Sequence, residues 1–515
     1  MPLYDLNYFN IIDPILEIEN KLDVNQFIFL DYNLWPAMRT FILQEMSRQY
    51  IVDDPSVGED HKEIPTYDSF LTKSNAEGRF KNQFPLNNNQ EESFDFLFLT
   101  SPSDHTALID GLRYQRFMDP LLEVAGQNYK CAKIELEPEY SDPAYPRYID
   151  PYYFKFEATD SIKFFNFFKI QTEKQLKPQK ENIRNFAKRI CQILNNLQLD
   201  HFYEDILLWV VNCRLKTVSF RQLLSQTRPK AIFVNRFYKE FPLKLACKEL
   251  GILLVDVQQD FLIRKHPYYS SWIKTPKNGY AMLPDIFWVW DDVAQNILEE
   301  WTEKSVNVHS AIVTGNSWLY RTKKGDLKEE NSKYSDFLKT FENHDKNILI
   351  PLMNTYITQM IPEVVLSAAK LAPSDWRWLF RMHPSALKYI DQINDMVRDH
   401  GVKNFEVAMP SETSLLSQIL KCDHIITQAS TVGFDGMELG VPVTIVGETG
   451  ISVYQEYIDN GNIKFAVTPD EIISNIKAIS PSTQGSENDL PIGANYTNIT
   501  FAFQKIYEQS KRMNN

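Results

Sequence analysis

Two short stretches of this 515-residue chain put anion-gripping groups at the ends of apolar runs. The first, Arg381-Met382-His383-Pro384, closes the run WRWLFRM (376–382), which reads as a buried strand, and precedes a helix-prone segment that starts near Ser385. In open α/β sheets ligands bind outside the carboxyl ends of strands. A proline there suits a first helical turn, the helix start offers unpaired N–H groups to a phosphate, and Arg381 and His383 add donors that carry charge. The competing reading is a structural histidine at a turn. In the second stretch, HIIT (424–427) runs through Gln428-Ala429 into Ser430-Thr431, followed by a helix at 432–439 and Gly440-Val441-Pro442. Ser430 and Thr431 are good N-cap types. Capping accounts for one hydroxyl, but not for two strand ends both dressed for an anion. Glu438 lies near the end of that helix, where a carboxylate opposes the helix dipole; binding ribose hydroxyls is one reading and a solvated charge the other.

The elements that position these groups repeat a strand–helix rhythm. In the first half, strands are expected at 94–101, 130–136, 231–235, 252–257 and 286–290, with helices through 1–50, 180–225 and 241–250, and a long polar loop over 52–92. In the second half, strands are expected at 347–352, 376–382, 404–407, 424–427 and 442–446, with helices at 359–372, 386–400, 412–421, 432–439 and 469–478. This is the pattern of doubly wound parallel sheets. The chain divides into a 1–320 half with a helical extension, a charged connection at 321–345, a second half at 346–490, and a terminal helical segment at 491–515 that returns to the first half.

Bulk properties exclude several classes. A net charge of −13 and a pI near 5.3 argue against nucleic-acid binding, which takes a basic patch or stripe. The first residues, MPLYDLNYFN, lack a basic region followed by an apolar one, and no run approaches a membrane span, so a cytoplasmic protein is expected. Five dispersed cysteines without a CxxC pair suggest neither a zinc site nor a disulfide framework. GxxxxGK[ST], GxSxG and HExxH are absent, and no carboxylate cluster has metal-ligand spacing, so a metal-free site is expected.

The 345–447 stretch resembles the nucleotide-binding domain of GT-B glycosyltransferases. It is similar in particular to bacterial capsule and lipopolysaccharide enzymes that use CMP-activated acidic sugars, the sialyltransferases and Kdo transferases. Their HP motif and their Ser or Ser-Ser/Thr motif are matched by His383-Pro384 and Ser430-Thr431. Related elements occur in polymerases that use CDP-glycerol. Val313-Thr314-Gly315-Asn316 resembles the turn that opens the donor domain, which makes Gly315 a weaker donor-site candidate beside its reading as a turn. In the first half, Gln258-Gln259-Asp260, His266-Pro267-Tyr268-Tyr269 and Leu283-Pro284-Asp285 resemble a segment of the same group, with Gln259-Asp260 standing where a His-Gly is usual.

The resemblance implies two Rossmann-like domains facing each other across a cleft, the first for the acceptor and the second for a nucleotide-sugar, and no separate cofactor. The acceptor is a surface glycan or its lipid-linked precursor, with peripheral association at the membrane or with a capsule-assembly complex. Inverting transfer needs a base for the acceptor hydroxyl. In the sialyltransferases it lies in an acidic D/E-D/E-G motif. Ile109-Asp110-Gly111 is the nearest match, so Asp110 leads and His105, in the same loop, competes; Asp104, Asp119 and Asp260 are further carboxylates. His383, Ser430 and Thr431 would stabilise the phosphate charge that grows as the sugar leaves. A donor of the UDP-, GDP- or CDP-polyol type, or a silent glycan-binding protein, are the alternatives.

Overall fold

The computed structural model describes residues 8–29, 32–53, 93–101, 105, 107–109, 111–136, 147–154, 174, 177–194, 199–305, 308–319, 334–353, 357–478 and 496–513. Asp104, Asp110 and the stretches 54–92, 320–333 and 479–495 lie outside them. The chain divides into two compact units, one of residues 8–314 with 496–515, the other of residues 315–495 with 1–7.

Among the described residues seventeen strands are numbered in chain order. Strands β1 (Ile28–Phe29) and β2 (Tyr32–Asn33) form a small antiparallel ribbon, as do β4 (Ala107–Ile109) and β5 (Leu112–Tyr114). The first unit's main sheet contains β3 (Phe96–Thr100), β6 (Cys131–Leu136), β7 (Tyr152–Phe154), β8 (Ala231–Val234), β9 (Leu253–Val257), β10 (Ile286–Val289) and β11 (Ser310–Val313). These pair in the order β11-β10-β9-β8-β3-β6-β7, every pair parallel. The second unit's sheet contains β12 (Lys346–Pro351), β13 (Trp376–Arg381), β14 (Phe405–Glu406), β15 (His424–Thr427), β16 (Val443–Val446) and β17 (Lys464–Ala466). Its order is β14-β13-β12-β15-β16-β17, again all parallel.

In each sheet the first strand in sequence is central and the order reverses beside it, which is the doubly wound Rossmann arrangement. Central strands such as β3, β8, β9 and β15 are buried at every residue, so their apolar runs are covered on both faces. Helix Tyr496–Met513 completes the first unit. Its Phe503, 1% exposed, lies with ring centroids 5.4 Å from Phe96, 5.3 Å from Phe233 and 5.0 Å from Trp288.

The helix expected through 1–50 is two helices, Tyr8–Lys21 and Trp35–Asp53. Between them the Asp23 side chain accepts from the Asn25 N–H at the start of a short 3₁₀ turn, and Asn33 Oδ1 accepts from the Trp35 N–H at 2.8 Å. These Asp and Asn side chains compete with the helical ladder and break the run. Glu19 and Arg39, both buried and 3.3 Å apart, join the two pieces. The helix expected over 359–372 is interrupted at Pro362, with pieces at Ile357–Met360 and Glu363–Leu371. That over 412–421 becomes Ala408–Glu412 and Leu415–Ile419.

Candidate functional site

In the 315–495 unit the strand order reverses between β12 and β15, and the loops leaving β12, β13 and β15 share the carboxyl edge there. Strands β13 and β15 flank β12, so at about 4.8 Å per strand their ends stand roughly 10 Å apart. Gln428 Nε2 reaches across the reversal to the Gln359 carbonyl at 3.2 Å. His383 and Pro384 follow β13, and His383 is exposed at this edge. Its carbonyl accepts from the Ala386 N–H at 2.8 Å in a 3₁₀ segment, Pro384–Tyr389, that precedes α-helix Ile390–Asp399.

Arg381 is committed to the backbone. Its guanidinium donates to the Thr413 carbonyl at 2.6 Å and to the Pro410 carbonyl, while fully buried Gln418 donates to the same two oxygens at 3.1 and 2.8 Å. The Met382 N–H donates to Ser411 Oγ at 3.0 Å. Arg381 thereby fastens the 408–413 segment beside the edge.

On β15 the turn is made by side chains. Thr427 Oγ1 accepts from the Ser430 N–H at 3.2 Å, and Ser430 Oγ accepts from the Val432 N–H at 3.3 Å. Thr431 takes the cap position of helix Val432–Glu438 in a helical conformation, and its hydroxyl makes no cap bond. Capping thus falls to Ser430 and leaves the Thr431 hydroxyl out of it.

Glu438 ends this helix, which rises about 1.5 Å per residue away from Thr431, so the chain carries it away from the Ser430 turn. One turn earlier Asp435, 6% exposed, accepts from Asn316 Nδ2 at 3.2 Å. Asp435 gives no signal in the sequence, because its partner is 119 residues distant. Gly315 has φ +82°, a turn geometry that glycine takes without strain, and it delivers Asn316 to Asp435.

The other unit holds His105 and the neighbours of Asp110. His105 is buried; its Nδ1 lies 3.2 Å from the Ser101 carbonyl and its Nε2 3.6 Å from Glu135 Oε2. Glu135, on β6, is clasped by Arg147 through bonds of 2.9 and 2.8 Å. Two residues earlier on β6, Lys133 Nζ lies 2.7 Å from Asp119 Oδ1, both groups fully buried. Burial pulls Lys133 below its ordinary range and pushes Asp119 above its own. Ile109 pairs with Leu112 across the ribbon, and Gly111 has φ +75°. Asp-Gly between two such strands is also the signature of a two-residue hairpin turn, a local reason for this dipeptide beside any catalytic one.

At the ends of β8 and β9, Asn235 Nδ2 donates to Gln259 Oε1 at 2.7 Å, and Gln258 Oε1 accepts from the Trp290 N–H at 2.9 Å. Asp260 Oδ1 accepts from the Phe261 N–H at 2.8 Å. Burial pushes Asp260, and Asp256 on β9, up to about 7. The remaining residues of the sequence motif are fasteners. His266 Nδ1 accepts from the N–H groups of Tyr268 and Tyr269, so its ring is neutral, and burial lowers it to about 3. Asp285 binds Lys244 at 2.6 Å and the Leu254 N–H at 2.7 Å.

Among the described residues no group of three or more His, Cys, Asp or Glu side chains is placed to hold a metal ion, and no helix is long and apolar enough to cross a membrane.

Two Rossmann-like α/β units in one chain, each with its order reversal beside the first strand, make a GT-B-like fold. Residues 342–455 match a family model described as capsule polysaccharide biosynthesis protein, a span that takes in His383, Ser430 and Thr431. No curated protein matches the sequence. Among solved structures the chain is similar to the UDP-GlcNAc 2-epimerase from Neisseria meningitidis bound to UDP-GlcNAc, with 14% identity, 80% of this chain and 99% of that chain covered, and a TM-score of 0.48. It is also similar to the Methanocaldococcus jannaschii UDP-GlcNAc 2-epimerase in complex with UDP-GlcNAc and UDP, with 12% identity, 80% and 99% covered, and a TM-score of 0.44. A third is the wall teichoic acid polymerase TagF, with 12% identity, 81% and 89% covered, and a TM-score of 0.41.

Proposed function

We propose that the chain is an inverting glycosyltransferase that moves an acidic sugar, a nonulosonic acid or Kdo, from its CMP-activated form to a bacterial surface glycan or its lipid-linked precursor. One observation carries this reading. His383 and Ser430-Thr431 leave β13 and β15, the strands on either side of β12 where the order reverses, inside the segment matched by the capsule family model. In open α/β sheets that is where a ligand binds.

In this reading the acceptor oxygen attacks the anomeric carbon and gives its proton to Asp110, while the bond from that carbon to the CMP phosphate oxygen breaks and CMP departs. His383 and the Ser430 and Thr431 hydroxyls hold the phosphate as its charge grows, so they favour the transition state over the ground state. His105 is the other base. Its buried position against Glu135 suits a supporting role, and Asp110→Asn against His105→Gln separates the two by which variant abolishes turnover.

Binding of CMP, UDP, GDP and CDP, followed by thermal shift in wild type and His383→Ala, tests the donor. A ligand at 100 times its Kd adds about 2.7 kcal/mol of stability. Selective stabilisation by CMP, lost in His383→Ala, is expected. Selective response to UDP or GDP replaces the donor, response to CDP alone points to a CDP-polyol, and no response to any nucleotide favours a silent glycan-binding protein.

A further inference from the structure

The Ser430 turn is held from behind by a helix that the sequence did not single out. Helix Glu448–Asp459 follows β16 and presents Gly450 and Tyr454, four residues apart and therefore on one face. Both meet the turn. A Cβ on Gly450 would lie 2.1 Å from the Gln428 carbonyl oxygen, so only a glycine lets the helix abut the chain there. Tyr454 is fully buried, and its hydroxyl donates to the Ser430 carbonyl, which also accepts from the Gly433 N–H at 3.0 Å. A Cβ on Gly433 would lie 2.5 Å from that hydroxyl, so Gly433 is the opening through which Tyr454 reaches the turn.

We propose that Tyr454 is a positioning residue of the anion site. By holding the Ser430 carbonyl it fixes the backbone that aims the Ser430 and Thr431 hydroxyls, and Gly433 and Gly450 are glycines because this contact leaves no room for a side chain. The proposal rests on the reading of that turn as the donor's phosphate site. The aim of a hydroxyl follows its backbone, and catalytic groups lose effect with small displacements.

Tyr454→Phe tests it, since the ring stays and only the hydroxyl goes. Hydrogen exchange of the 430–433 amides without ligand, and titration calorimetry with CMP, UDP, GDP and CDP, are measured on the full chain beside wild type and Tyr454→Ala. Expected for Tyr454→Phe are an unchanged melting temperature within a few degrees, faster exchange confined to 430–433, and affinity for the nucleotide that wild type binds weaker by about three- to tenfold, the worth of one neutral hydrogen bond. Tyr454→Ala loses more in both. If wild type binds a nucleotide and Tyr454→Phe binds it equally well, or if exchange at 430–433 is unchanged, the proposal falls while the donor reading stands. If wild type binds none of the four, the donor reading falls and takes the proposal with it.

Discussion

Replacing Asp119 with alanine should open β6 from helix Asp119–Ala125, whose first residue it is, and the size of the effect follows from the geometry. Asp119 Oδ1 is 2.7 Å from Lys133 Nζ with neither group in contact with solvent, and Oδ2 accepts from the Gln115 N–H at 2.8 Å. Removing the carboxylate strands an ammonium in the interior, which costs about 3–5 kcal/mol. Exchange of the Cys131–Leu136 amides, read by mass spectrometry, should then accelerate about a hundred- to several-thousand-fold. Burial already pulls Lys133 below its ordinary value, so the orphaned group escapes by releasing its proton. The native variant then carries neutral Lys133 while the unfolded chain binds a proton up to about pH 10, so stability of the variant rises with pH relative to wild type. The defect should be smaller at pH 9 than at pH 6. Asp119→Leu with Lys133→Met should recover most of the loss, since a matched apolar pair is close to neutral. An alanine variant that exchanges less than tenfold faster, or a defect that grows with pH, would refute the reasoning.

Three further outcomes follow. His309 accepts from the Tyr280 N–H at Nε2, 3.1 Å, with Nδ1 2.6 Å from the Pro284 carbonyl, and burial lowers it to about 4; its stabilisation is full above the unfolded value near 6.5 and is lost as pH falls through about 4, roughly 3 kcal/mol. Melting temperature against pH should therefore fall less steeply on the acid side in His309→Gln than in wild type, and equal slopes would contradict this. Gly450→Ala should lower stability by about 1–3 kcal/mol through overpacking against the Gln428 carbonyl, read by urea unfolding of the 315–495 unit, and a neutral result would mean that the helix shifts freely. Asn316→Ala should leave Asp435 without this donor and cost about 1 kcal/mol, checked by the same unfolding curve.

The interior strands were legible because a strand covered on both faces writes an unbroken apolar run, as FLFLT of β3 and HIIT of β15 do. Beyond the two short ribbons, the strands missed in the main sheets, β7, β11 and β17, are all at sheet edges. There one flank is open, burial is partial, and YYF, SAIV and KFA carry no comparable run. The His383 and Ser430 turns were legible because each sits at the end of an interior strand. Tyr454, Asp435 and Gln418 were not, since their roles are bonds to residues near in space and, for Asp435, distant in sequence. A tyrosine 24 residues after a serine has no pattern until the helix is placed.

Because helix Tyr496–Met513 belongs to the unit begun by residues 8–314, the 315–495 unit is in effect an insertion within its neighbour. During synthesis the inserted unit has its whole sequence before its host does. Until residues 496–513 leave the ribosome, the ring surface of Phe96, Phe233 and Trp288 that receives Phe503 stands uncovered. For that interval the nascent chain presents an aromatic face to chaperones and to other chains. A truncation before residue 496 would make the exposure permanent and should lower yield and solubility, even though the last helix lies outside both sets of candidate site residues.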